Sequence, residues 1–94
     1  MTIKSVKSAE RVLRVFELLA QYPEGLTIKE IGEKLSFPQS STSNLIGTLF
    51  KEGYLIQDPL RRYKLGPKMI QMGTIAMESF LQTSKRISES IGHY

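Results

Sequence analysis

The chain has 94 residues, 13 lysines and arginines against 9 acidic residues, a net charge of +4, 40% hydrophobic residues and no cysteine. That composition describes one small domain with a single core, too small to enclose a deep substrate cavity, without disulfides or thiolate metal sites, and mildly suited to a polyanionic partner. No apolar run is long enough for a signal peptide or a membrane span, so a cytoplasmic location with no membrane partner is expected.

Ser5 or Ser8 can cap a first helix running to about Gln21, with Val12, Phe16 and Leu19, flanked by Leu13 and Ala20, as its core-facing stripe. Tyr22 to Gly25 ends it. Lys4, Lys7 and Arg11 form a basic cluster at its front, which fits either a phosphate contact or a solvated helix start. In LTIKEIGEKL, Thr27 and Glu30 have the spacing of a capping box, and Leu26 and Ile31 that of a hydrophobic staple. A second helix is therefore expected from Thr27 to about Leu35. Ile28, Ile31 and Leu35 make its apolar side, with Glu30 and Lys34 as an i,i+4 pair.

After a three-residue break at Ser36 to Pro38 comes the stretch around which the chain is organised, FPQSSTSNLIGTLFKEG. Thr42, Leu45, Ile46 and Leu49 share one helix face, so Gln39, Ser40, Ser43, Asn44 and Gly47 point the other way. That outward face is small, uncharged and rich in hydrogen-bonding groups, as a helix entering a DNA major groove requires. Ser41, Thr48 and Lys51 flank it and complete the candidate base- and backbone-contacting set. An ordinary solvated face is the plainer reading, but Glu or Lys would serve that purpose better than four consecutive Ser and Thr residues. The helix is expected over about 38–52, ending at Gly53. Pro38 suits its first position, which leaves the poor cap Phe37, or else Ser36 or Ser40.

The periodicity then changes. Tyr54–Gln57 and Arg62–Leu65 read as two strands joined by Asp58, Pro59, Leu60 and Arg61, a hairpin over 54–65 directly behind the polar helix. Arg61 and Arg62 suit a phosphate or a narrow minor groove, the alternative being an edge strand charged against unwanted pairing. Gly66 and Pro67 open a long last helix on which Met69, Met72, Ala76, Phe80, Ile87 and Ile91 follow one stripe, widened by Ile70, Met77 and Leu81. This is more apolar surface than so small a core can cover. The expected architecture is mainly α with a small β-hairpin: a winged helix-turn-helix of three helices plus a wing over 1–66, a linker and dimerisation helix over 67–92, and a tail of 93–94.

The run from Ser5 to about Gly73 resembles the N-terminal winged helix-turn-helix domain of the IclR-type bacterial transcriptional regulators, most specifically in FPQSSTSNLIGTL and in the YKLG that closes the wing. Met69 to Gly92 is similar to the linker helix of that family. The resemblance implies sequence-specific binding to double-stranded DNA, dimers or dimers of dimers, and a small-molecule effector only where a further C-terminal domain exists. Many relatives carry an aromatic residue or His followed by Arg on the recognition helix, where this sequence has Ser43 and Asn44. An Asn favours adenine through its bidentate amide rather than guanine.

Catalysis has little to stand on. The single histidine, His93, is near the chain end, and neither a carboxylate pair in a pocket nor a Gly-rich phosphate loop is present. No catalytic residue, metal or cofactor is assigned. The rival to DNA binding is a winged helix used as a protein-protein interaction module, because a fold does not fix a function. The homodimer expected through the last helix makes a pseudo-palindromic operator the natural DNA partner.

Overall fold

The computed structural model describes residues 6–91, with the side chains described as far as 83. Its elements follow in the order α1 (Lys7–Ala20), α2 (Ile28–Leu35), α3 (Gln39–Lys51), β1 (Leu55–Gln57), β2 (Tyr63–Leu65) and α4 (Pro67–Ile91). Lys4, Ser5, Gly92, His93 and the 93–94 tail lie outside the described residues, as do the side chains of Ile87 and Ile91.

The core is small and draws on every element before α4. Val15 and Leu19 of α1, Ile31 of α2, Ile46 and Leu49 of α3, Leu55 of β1 and Tyr63 of β2 are buried together with Leu26. On α1 the expected Leu19 is buried and Val12 and Phe16 pack half-buried against the core, but Val15 is fully buried beside them, while the flanking Leu13 is 54% exposed and Ala20 is also exposed. The sequence period gives a face, but the exact direction is set by β2 and α2 packing onto α1, which a local pattern cannot contain. Ser8 does not cap α1. Its N-cap is Val6, without a side-chain bond.

Thr27 is the N-cap of α2, which starts one residue later, at Ile28. The capping box forms as expected: the Glu30 backbone N–H donates to Thr27 Oγ1 at 3.2 Å, and the Thr27 backbone N–H donates to Glu30 Oε1 at 2.9 Å. The Glu30 carboxylate is thus turned back onto the cap and makes no salt bridge with Lys34, whose ammonium instead stands 4.9 Å over the Tyr22 ring. Ser36 does not cap α3 but ends α2, in the left-handed conformation at φ 57°. Ser36 N–H donates to the Glu33 carbonyl and Phe37 N–H to the Gly32 carbonyl, closing the helix end.

The next helix, α3, is Gln39–Lys51 with Pro38 outside it as the N-cap, rather than 38–52 with a serine cap. The Pro38 carbonyl accepts from the Thr42 N–H and, at 2.8 Å, from the Thr42 hydroxyl. This lets a polar residue sit fully buried in the α2–α3 contact. The far end is closed by Gly53 at φ 86°, whose N–H donates to the Phe50 carbonyl while the Tyr54 N–H donates to that of Leu49. Because Tyr54 is committed to that cap, β1 begins one residue later than expected. The paired strands match Leu55 with Leu65, Ile56 with Lys64 and Gln57 with Tyr63.

Beyond the hairpin, Tyr63 exchanges two backbone bonds with Leu26, at 2.7 and 3.1 Å. The wing is therefore stitched back to the start of α2, and β2 is not an open edge at that point. Gly25 makes the approach possible: its φ is 89°, and a Cβ there would lie 2.8 Å from Lys64 Cγ and 2.9 Å from the Tyr63 carbonyl oxygen.

The last helix, α4, leaves the domain. It is anchored at its base, where the Gly66 N–H donates to the Tyr54 carbonyl at 2.8 Å and Lys68 Nζ donates to the Glu52 carbonyl at 3.0 Å, 5.1 Å over the Tyr54 ring. Every described side chain from Ile70 to Thr83 is exposed. The radius of gyration, 17.5 Å, accordingly exceeds the roughly 13 Å of a compact domain of similar length.

Candidate nucleic-acid interface

The outward face of α3 is built by the burial of the opposite one. With Thr42, Ile46 and Leu49 fixed in the core, the three- and four-residue spacing leaves Gln39, Ser40, Ser43, Asn44, Gly47 and Lys51 exposed. Ser41 and Thr48 stand at its margin. Ser41 is half-buried, with its hydroxyl donating to the Pro38 carbonyl at 3.1 Å, and the exposed Thr48 donates to the Asn44 carbonyl at 2.8 Å. No acidic side chain occurs in α3 itself; the nearest ones border it, Glu33 of α2 in the groove with Gln39 and Glu10 of α1 in the notch with Lys7.

Basic residues flank the face on two sides. On one, Ser8 and Arg11 of α1 share a groove with Ser41, Asn44 and Thr48. Arg11 is half-buried with its guanidinium 5.2 Å from the Phe37 ring centroid, a stacking that orients its remaining donors. Lys7 is exposed one turn earlier and lines an adjacent notch with Arg11 and Arg14. On the other side, Lys29 borders one groove with Gln39 and a second with Leu60 and Arg61 of the wing.

The wing tip is held by one carboxylate. Asp58 Oδ1 accepts from the Leu60 and Arg62 backbone N–H groups, both at 2.9 Å, and Oδ2 accepts from Arg62 Nε at 2.8 Å. Those bonds, led by the one from the Arg62 backbone, hold the Asp58 carboxyl below its ordinary range. The same happens at Glu30, chiefly through the Thr27 backbone N–H. The two wing arginines consequently differ. Arg61 is exposed at the tip with φ 63°, whereas Arg62 is half-buried and committed at Nε to Asp58.

The structure thus brings Ser41, Asn44 and Thr48 of α3 together with Ser8 and Arg11 along one margin, with Lys7 in the adjacent notch, and sets Gln39 beside Lys29 along the other; Ser40 and Ser43 are exposed on the face between them, and Lys51 closes the helix. Arg61 and Arg62 belong to the separate wing tip. Sequence reasoning missed Lys29 and Ser8. Lys29 carried a usable signal, being two residues past the cap of the helix before α3, but its neighbourhood with Arg61 depends on the wing folding back onto Leu26, which no local pattern encodes. Among the described residues no group of three or more His, Asp or Glu side chains could hold a metal ion, and no helix is long and apolar enough to cross a membrane.

Comparison with known proteins places this arrangement. Residues 8–59 match the IclR helix-turn-helix domain. The chain is 31% identical to the HTH-type transcriptional regulator Rv1719 of Mycobacterium tuberculosis, over 95% of its own length and 37% of that protein. It is 29% identical to the HTH-type transcriptional regulator XynR of Escherichia coli, over 79% of its own length and 30% of the relative. Among solved structures, an IclR transcriptional regulator from Alicyclobacillus acidocaldarius superposes with a TM-score of 0.72 at 33% identity, covering 78% of this chain and 30% of that one. The chain therefore spans about a third of the length of the regulators it matches.

Proposed function

The chain belongs to the IclR helix-turn-helix family, and from that premise we propose that it is the sequence-specific, double-stranded-DNA-binding part of a transcriptional regulator. The observation that carries the reading is the exposed, uncharged hydrogen-bonding face of α3, bordered by cations from α1 on one side and by Lys29 and Arg61 on the other. In this reading α3 enters the major groove. Ser40, Ser43 and Asn44 meet base edges, with Gln39, Ser41 and Thr48 beside them. Lys7, Arg11, Lys51, Arg61 and Arg62 sit against phosphates, Arg61 reaching furthest along the wing toward the minor groove.

Residues 7–66 then form the reading head, and α4 joins two of them. Ile70, Met72, Ile75, Met77, Phe80 and Leu81 are each more than half exposed, an apolar surface too continuous to leave in water. A second copy of the same helix covers it, making a homodimer. Two-fold symmetry then calls for a pseudo-palindromic operator whose half-sites lie one helical turn, or a multiple of it, apart.

The test is selection of bound sites from random duplex DNA, followed by affinity measurement against salt. Enrichment of a defined, pseudo-palindromic site, with affinity falling steeply as salt rises, is the expected result. If no sequence is enriched and association with duplex DNA is absent or indifferent to salt, the fold serves as a protein-interaction module instead.

A further inference from the structure

Each glycine in the folded head except one has a reason within the chain. Gly25 and Gly53 take positive φ, a Cβ on Gly32 would meet Thr42 Oγ1 at 3.3 Å, and one on Gly66 would meet the Gly53 carbonyl oxygen at 2.9 Å. Gly47 is the exception: it lies inside the thirteen-residue α3, its backbone is in no left-handed region, and a Cβ built on it would meet nothing within 4 Å. A glycine in a helix interior weakens the helix relative to alanine, so the fold gains nothing from it. Its position is the middle of the outward face, one turn after Ser43 and one turn before Lys51.

We infer that Gly47 sets how deeply α3 seats in the major groove and is thereby a specificity-determining residue; the inference rests on the DNA-binding reading above. The side chains offered for base contact are Ser40, Ser43 and Asn44, all short and all exposed. A serine hydroxyl or an asparagine amide reaches a base edge only if the helix backbone comes closer than it would for an arginine or lysine reader. A side chain at position 47 stands on the same face and holds the backbone off. Without one, the Cα of Gly47 itself packs against the base edges, and the short readers come within hydrogen-bonding distance.

The test compares the wild type with Gly47→Ala and Gly47→Leu on a duplex site selected by the wild type and on random duplex. Gly47→Ala should raise the thermal midpoint by about 3 to 6 °C. It should weaken binding to the selected site by about tenfold or more while changing random-duplex binding by less than about threefold, and Gly47→Leu should weaken specific binding further. Opposite movement of stability and specific affinity is the signature, because a merely structural glycine would move stability alone. Unchanged affinity for the selected site, or equal losses on selected and random DNA, overturns the inference while leaving DNA binding intact. If the wild type enriches no site, the DNA-binding reading fails and this inference fails with it.

Discussion

Among single residues, Asn44 is the most informative position on α3, being exposed on the outward face and bordering the Arg11 groove. Asn44→Ala should cost about 1 to 3 kcal/mol on the selected site and relax preference at one base pair, measured by binding to single-base-pair variants of that site. Equal losses on specific and random DNA would argue against base readout. The wing arginines make a paired experiment because their surroundings differ. Arg61→Ala should lower the salt dependence by about one unit of slope, with binding weakened on all sequences alike. Arg62→Ala should act partly through the fold, since its Nε is bonded to Asp58, and so should also lower the thermal midpoint. An Arg61 variant with an unchanged salt slope would reduce that residue to guarding the hairpin. None of this difference between neighbouring arginines was legible in the sequence, where both were tip cations. The positive φ of Arg61 and the three bonds of Asp58 arise only once the turn closes.

At the scale of elements, the capping box and the stitch between Leu26 and Tyr63 hold the head together from opposite sides of one loop. Thr27→Ala removes the acceptor for the Glu30 N–H and should lower stability by about 1 to 2 kcal/mol, read as the midpoint of thermal or urea unfolding. The carboxylates of Glu30 and Asp58 are both held below their ordinary values of 4.5 and 3.8. Such groups contribute stability that is complete above those values and is lost as the pH falls through them toward the lowered ones. The thermal midpoint should therefore be flat near neutrality and drop below about pH 4.5, and an Asp58→Asn, Glu30→Gln variant should be less stable at pH 7 and show a shallower drop. An acid profile as steep as that of the wild type would mean that other carboxylates govern it. The α2 cap was legible because Thr27 and Glu30 carry the whole mechanism within four residues, and so was the α3 terminus at Gly53. The α1 cap and the full α1 stripe were not, because the burial of α1 is completed by α2 and by β2, which lies far along the chain.

For the molecule as a whole, the decisive feature is the apolar side of α4, whose Phe80 and Ile70 are each 66% exposed. Sedimentation analysis should find the wild type dimeric, at least on a palindromic duplex, and a Met77→Asp, Phe80→Asp variant monomeric with weakened binding to the full site. A wild type that binds one half-site as a monomer with undiminished affinity, indistinguishable from the double variant, would mean that α4 has another role.

The base of α4 is also a mechanical joint. A helix of 25 residues is about 37 Å long, and this one is fastened to the end of α3 within three residues of Gly66, through the Tyr54 carbonyl, the Glu52 carbonyl and the Tyr54 ring. A force applied at its far end would reach residues 7–66 through that joint. A displacement of about 6 Å at the far end corresponds to a turn of about 10° at the joint. A large distal movement would therefore reach the residues before α4 as a small rotation, and Lys68→Ala, which removes one fastening of the joint, should loosen that coupling.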